Sequence, residues 1–245
     1  MTDRKALLVT GGGRGIGAAV VTLAAARGWD VAFTYAGNAT RAAETEAAAR
    51  AAGAQVLAMQ ADVGDPQAVA ASFAAVAERF GRLDALVNNA GITGPKATLR
   101  DSTDAIWETV FRTNVLGLAG CCRAALAVLP PGGAIVNVSS RASELGGAGE
   151  WIHYAASKGA VDSLTIGLAK EAAAQGVRVN AVNPGLIDTD LHASAGMPDR
   201  VARMSAGVPM ARGGSAAEVA EAVLWLLSDG ASYVTGALVP VSGGR

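Results

Sequence analysis

The 245-residue sequence predicts an α/β fold, a parallel sheet covered by helices on both faces. Short apolar runs alternate with amphipathic, alanine-rich stretches along the whole chain. A glycine cluster at residues 11–17 joins the first apolar run to the first of those stretches. No Pro/Ser linker, charge run or compositional break divides the chain, so one domain over residues 1–245 is expected.

Strands are expected near residues 6–10, 31–35, 55–60, 84–88, 134–138, 177–182 and 237–241. Helices are expected near 15–27, 40–52, 66–80, 103–129, 153–174 and 216–227. The apolar run Ala6-Leu7-Leu8-Val9 leads through the glycines into the Ala-rich stretch Ala18 to Arg27. Asp65-Pro66 reads as an N-cap followed by proline at the first helical position. Pro130, Pro131, Gly132 and Gly133 stop the long central helix. Ser215 with Glu218 forms a capping box for the last helix. Alanine favours helix and lets helices pack closely. Residues 186–214 break the alternation. They hold Asp188, Asp190, His192, Gly196, Pro198, Gly207, Pro209, Gly213 and Gly214, the make-up of a lid with hinges.

Composition excludes several classes. Hydrophobic residues make up 51% of the chain, enough for a substantial core. A formal net charge of −1 gives no field suited to nucleic acid or a membrane surface. No apolar stretch is long enough to span a bilayer; Val115 to Leu129 is interrupted by Arg123. Met1-Thr2-Asp3-Arg4-Lys5 leads into a strand and not into a signal peptide. Cys121 and Cys122 are adjacent, too close for an ordinary disulfide, and read as helix packing residues. A cytoplasmic protein is expected. Neither His153 nor His192 has metal-ligand spacing, and no metal is expected. His153 reads as a polar helix start more than as a catalytic group.

Tyr154 and Lys158 stand four residues apart, so a helix presents both on one face. Tyrosine alone titrates near pH ~10. An ammonium at ~4 Å and an effective dielectric of ~20 contributes about 4 kcal/mol. That would lower the phenol by roughly two to three pH units, toward useful acid–base chemistry. The loop Thr10-Gly11-Gly12-Gly13-Arg14-Gly15-Ile16-Gly17 sits between strand and helix, where backbone and helix N-terminus receive a pyrophosphate.

Together these motifs resemble the short-chain dehydrogenase/reductase family. Further matches follow in order: Asp62-Val63, Asn88-Asn89-Ala90-Gly91, Asn114, Ser139-Ser140 and Asn183-Pro184-Gly185. The resemblance runs from residue 5 to the C-terminus. It implies a doubly wound Rossmann sheet of seven parallel strands in the order 3-2-1-4-5-6-7, with 186–214 as substrate loop. It also implies a catalytic tetrad of Asn114, Ser140, Tyr154 and Lys158. Tyr154 would exchange a proton with the substrate oxygen, and Lys158 would depress its pKa and hold the nicotinamide ribose. Ser140 would hydrogen-bond the substrate oxygen, and Asn114 would hold a relay water. Ser140 and Tyr154 are separated by one position more than in many relatives, and the loop between them is expected to bulge around Glu150 and Trp151.

For the dinucleotide the resemblance points to Gly11, Arg14, Gly15, Ile16, Gly17, Asn38, Asp62, Val63, Asn89, Ala90 and Gly91. Tyr154, Lys158, Pro184, Gly185, Ile187 and Thr189 complete that set. The second strand ends Phe33-Thr34-Tyr35-Ala36-Gly37-Asn38, without the carboxylate that would bind the NAD ribose and repel a phosphate. Arg14, assisted by Arg41, suits a phosphate, so NADP is expected over NAD. The pattern resembles 3-oxoacyl-thioester reductases and sugar dehydrogenases. The expected activity is hydride transfer between nicotinamide and a carbonyl or secondary alcohol. The alternatives are an NAD-linked sugar or polyol dehydrogenase and a non-catalytic dinucleotide sensor. The resemblance implies a homotetramer built through the long helices, where Gly117, Ala119, Gly120 and Ala124 allow close packing, and the last strand.

Overall fold

The computed structural model describes residues 4–189, 196–197 and 199–245. The first half alternates strictly: β1 Ala6–Thr10, α1 Gly15–Ala26, β2 Asp30–Tyr35, α2 Ala39–Ala51, β3 Val56–Gln60, α3 Pro66–Phe80 and β4 Ala85–Asn88. Then come α4 Asp104–Phe111, a π-helical turn Arg112–Gly117, α5 Leu118–Leu126, β5 Ala134–Val138, a short α6 Ala142–Leu145, α7 Ile152–Ala172 and β6 Arg178–Pro184. The chain ends with β7 Ile187–Asp188, α8 Arg200–Met204, β8 Gly214–Ser215, α9 Ala216–Leu227 and β9 Leu238–Val241.

Seven strands form one sheet in the order β3-β2-β1-β4-β5-β6-β9, every pair parallel. This is the expected doubly wound order, with β9 as the seventh strand. Side chains alternate between faces along a strand. Leu7 and Val9 therefore pack with α1, α2 and α9, while Leu8 packs with α3, α5 and α7. The same alternation sends Val136 to the first layer and Ile135 to the second. Each fully buried aliphatic side chain contributes roughly 1.5–3 kcal/mol. Ile135 is wholly buried, and its truncation to alanine would cost about 2–5 kcal/mol.

The caps follow the local sequence. Asp65 accepts from the Gln67 amide at 2.9 Å ahead of Pro66, and Gly81 ends α3 at φ +70°. Ser215 and Glu218 form the reciprocal box. Helix α1 differs, because its N-cap residue Arg14 makes no side-chain capping bond.

Two departures matter for the site. The expected continuous helix 103–129 is three pieces, α4, the π turn and α5, and helix ends at Leu126 before the prolines. The cause is Asn114, whose Oδ1 accepts from the Ile92 amide and whose Nδ2 donates to the Ile92 carbonyl, both at 2.9 Å. That clasp to the loop after β4 pulls the helix into its wider turn. Second, the excursion 186–214 returns to its starting point. Ile187 pairs with Gly214 and Asp188 with Ser215, and the Gly214 amide donates to the Leu186 carbonyl at 2.9 Å. Asp190, Leu191, His192 and Pro198 lie outside the described residues.

Candidate active site

The carboxyl ends of β1, β4, β5 and β6 open onto one cavity of about 900 Å³. It lies where the strand order reverses between β1 and β4, the place where open parallel sheets bind ligands. One end is walled by Gly11, Gly13, Arg14, Gly15 and Ile16, and by residues 34–38 at the end of β2. Asp62, Val63, Asn89, Ala90 and Gly91 form the middle. Ser140, Tyr154, Lys158, Pro184, Gly185, Ile187 and Thr189 line the other side. Thus nearly all the dinucleotide positions expected from sequence converge.

Gly17 does not line the cavity. A Cβ there would stand 2.2 Å from the Gly11 carbonyl oxygen and 2.5 Å from Asn89 Nδ2, so its place in the motif is a packing one. Asn89 Nδ2 bolts the glycine loop by donating to the carbonyls of Thr10 at 3.1 Å and Gly11 at 2.8 Å. The uncapped start of α1 faces the cavity through Gly15 and Ile16, leaving first-turn amides for an anion. A pyrophosphate fits that donor set. Arg14 is exposed on the wall near Asn38, and the end of β2 carries no carboxylate. Asn38 also caps α2, accepting from the Arg41 amide at 3.0 Å, while the Arg41 guanidinium pairs with Glu44 at 3.1 Å. Arg41 does not line the cavity.

Asn114 is fully buried and absent from the cavity wall. Besides the Ile92 clasp, its Nδ2 donates to Ser157 Oγ at 3.0 Å. It stands behind Gly91, where a Cβ would meet Asn114 Oδ1 at 3.3 Å and Lys158 Nζ at 3.6 Å. Asn114 is therefore one layer removed from the other three tetrad residues.

The electrostatics of Tyr154 differ from expectation. Burial pushes its phenol up, and a hydrogen bond with Ser140 opposes that rise. The net shift is upward, so Lys158 does not offset the burial. Lys158 Nζ donates to the Val138 carbonyl at 2.7 Å and lies 5.7 Å from the Tyr154 ring centroid. Burial brings Lys158 itself down to about 8, with Asp162 acting the other way. The helical spacing places the two residues on one face, as expected, but the ammonium turns toward the end of β5.

The loop between Ser140 and Tyr154 forms α6 and then turns outward. Glu150 and Trp151 line the cavity, but His153 does not. The His153 ring is buried, bonded through Nε2 to the Thr93 carbonyl at 2.9 Å and edge-on to Trp107. Sequence reasoning missed Arg200, which lines the cavity from α8. Its Nη1 lies 2.6 Å from Glu150 Oε2, and its guanidinium sits 4.8 Å from the Trp151 ring. Arg141 on the same wall, also missed, donates through Nε to the Arg245 carbonyl at 2.7 Å. Contacts between such distant loops leave no local pattern. Met204, an apolar residue of the 186–214 segment, also reaches the wall. Cys121 and Cys122 are buried, their thiols raised to about 12, which fits the packing role.

Comparison with known proteins agrees with this geometry. A family model described as enoyl-(acyl carrier protein) reductase matches residues 11–245. The chain is 49% identical to an uncharacterized oxidoreductase, YgfF, of Escherichia coli K12, over 97% of this chain and 98% of the relative. It is 38% identical to the 3-oxoacyl-[acyl-carrier-protein] reductase FabG of Staphylococcus aureus Mu50, over 100% of this chain and 99% of the relative. Among solved structures, a short-chain dehydrogenase from Burkholderia cenocepacia J2315 in complex with NADP superposes with a TM-score of 0.92. That pair is 37% identical over 98% of this chain and 97% of the other.

Proposed function

This chain belongs to the short-chain dehydrogenase/reductase family of oxidoreductases, and we propose that it is an NADPH-dependent carbonyl reductase. One observation carries the reading. Ser140, Tyr154 and Lys158 share a cavity wall, and the same cavity runs to the glycine loop and Arg14. The first-turn amides of α1 would hold the pyrophosphate, and Arg14 the 2′-phosphate. The NADP bound to the Burkholderia neighbour supports that choice. NADPH would supply the hydride.

The chain's own groups handle the proton and the developing charge. Ser140 donates a hydrogen bond to the substrate oxygen and stabilises it as it becomes an alkoxide. Tyr154 gives that oxygen its proton. Burial raises the phenol, so Tyr154 holds its proton until negative charge develops on the substrate oxygen. Lys158 orients the nicotinamide ribose, and Asn114 braces the wall behind Gly91.

The substrate class we favour is a 3-oxoacyl thioester, supported by the FabG relative at 38% identity. We read residues 1–245 as one domain with 186–214 as its substrate loop, working in the cytoplasm; no helix among the described residues is long and apolar enough to cross a membrane. We also infer a homotetramer. Leu116 in the π turn is 65% exposed and Ile166 on α7 38% exposed, and Trp225 and Tyr233, in the segments leading to β9, are exposed.

The test is a panel of 3-oxoacyl thioesters, cyclic ketones and sugars, assayed with NADPH and NADH. Turnover of oxoacyl thioesters with NADPH is expected. Oxidation of sugars or polyols with NAD as the principal activity would overturn the proposal in favour of the sugar or polyol dehydrogenase.

A further inference from the structure

Asp162 is a buried carboxylate that none of these roles uses; it is 8% exposed. Helix α7 sets Tyr154, Lys158 and Asp162 at successive i,i+4 positions along one face. The carboxylate takes its hydrogen bonds from Asn183 Nδ2, at 3.3 Å to Oδ1 and 3.2 Å to Oδ2. One long, forked amide contact is poor compensation for taking a carboxylate out of water. Lys158 is in the matching position. Its ammonium is buried, and its hydrogen bond goes to a neutral carbonyl, that of Val138. Two buried opposite charges one helical turn apart compensate each other through space.

We propose that Asp162 is a positioning residue of the active site: clamped by Asn183, its carboxylate holds Lys158 as an ammonium ion beside Tyr154. The inference rests on the proposed function, because it takes Lys158 to hold the cofactor ribose. It adds a requirement that the tetrad alone does not contain.

The surroundings of Lys158 leave this work to Asp162. From α7 it faces the Tyr154 ring and Asp162, from the end of β5 the Val138 carbonyl, and from the loop after β4 the backbone of Gly91. Asp162 is the charge that pushes it up. Burial brings Lys158 down to about 8, and Asp162 supplies the opposing push. Without that push, a larger share of Lys158 would be neutral at physiological pH. The clamp also has a second end. Asn183 lies on β6 immediately before Pro184 and Gly185, which line the cavity.

The competing account is that Asp162 merely ties α7 to β6. NADPH affinity, followed by fluorescence from about pH 6 to about pH 10, separates the two. In the wild type, affinity should fall as pH rises through the Lys158 limb near 8, and Lys158→Met should lack that limb. Asp162→Asn can still accept from Asn183 but carries no charge, and it should move the limb down by about one pH unit or more. Asp162→Glu should return the limb toward the wild-type position. Asn183→Ala keeps the charge but frees the carboxylate, and should lower the melting temperature and move the limb down by less than Asp162→Asn does. If Asp162→Asn does not fold, Asp162→Ser removes the same charge with less bulk. A limb that stays at the wild-type pH when the charge is gone overturns the inference. A wild-type protein that binds neither NADPH nor NADH at any pH overturns the cofactor reading itself.

Discussion

Substituting Gly17 by alanine adds one methyl group at a position that never touches the cavity, yet it should damage both stability and cofactor binding. The new Cβ would fall 2.2 Å from the Gly11 carbonyl oxygen and 2.5 Å from Asn89 Nδ2. The nearer atom is backbone, so no side-chain rotation relieves it. The glycine loop and α1 must separate, stretching the Asn89 bonds to Thr10 and Gly11. Overpacking of this kind costs about 1–3 kcal/mol, and each weakened hydrogen bond adds about 1 kcal/mol. Alanine in a helix returns at most about 1 kcal/mol. The net loss is about 2–4 kcal/mol, or roughly 4–16 °C in melting temperature for a chain of this size. Because the start of α1 moves with the loop, NADPH affinity should fall in the same protein. Differential scanning calorimetry and NADPH titration read the two effects. A melting temperature equal to or above that of the wild type would refute the packing argument.

Other consequences follow from the same geometry. Tyr154→Phe should cut turnover by about 10²–10⁴-fold with NADPH binding retained, since only the acid is lost; full activity would remove Tyr154 from its role. Arg14→Ala should narrow the gap between NADPH and NADH dissociation constants, and added salt should narrow it in the wild type; equal constants in the wild type would end the 2′-phosphate assignment. Lys158 lies at about 8 in the folded chain against an ordinary 10.5, so between those values the unfolded chain binds more protons and stability rises with pH. The rise is at most about 3 kcal/mol. Lys158→Met should abolish that rise in pH-dependent unfolding, and because it leaves the buried Asp162 carboxylate with Asn183 alone it should melt no higher than the wild type. Light scattering should give a tetramer, and Leu116→Arg on the exposed helix face should yield a smaller species.

The sheet was legible because its strands are short apolar runs whose turns carry their own chemistry. Asp65-Pro66 and Ser215 with Glu218 encode their caps within four residues, and both form as read. The site was legible where a motif lies at a strand end, as with Asn89, Ser140 and Pro184-Gly185. It was not legible where tertiary contacts decide. The i,i+4 spacing puts Lys158 beside Tyr154 but reveals neither that the Val138 carbonyl claims the ammonium nor that burial raises the phenol, so the expected net lowering is not found. Arg200 on α8 and Glu150 in the loop before α7 meet across the cavity, and no pattern in either segment announces the other. Gly17 belongs to the motif, but its reason lies in the approach of Gly11 and Asn89.

The π turn at Arg112–Gly117 also changes the direction in which a helix faces. Val110, Asn114, Gly117, Leu118, Cys121, Cys122 and Ala125 are buried at spacings of three and four, which on an ideal helix would trace one stripe. The wider turn holds close to one additional residue, so the stripe slips in azimuth by about 100° along its length. The first part, α4, therefore meets α7, while α5 turns toward α3 and β4. One periodic sequence thereby serves two differently oriented neighbours, and Asn114 sits at the swivel. Deleting a single residue from 112–117 would bring the two halves back into phase as a straight rod. The rod could then satisfy α7 or the sheet, but not both.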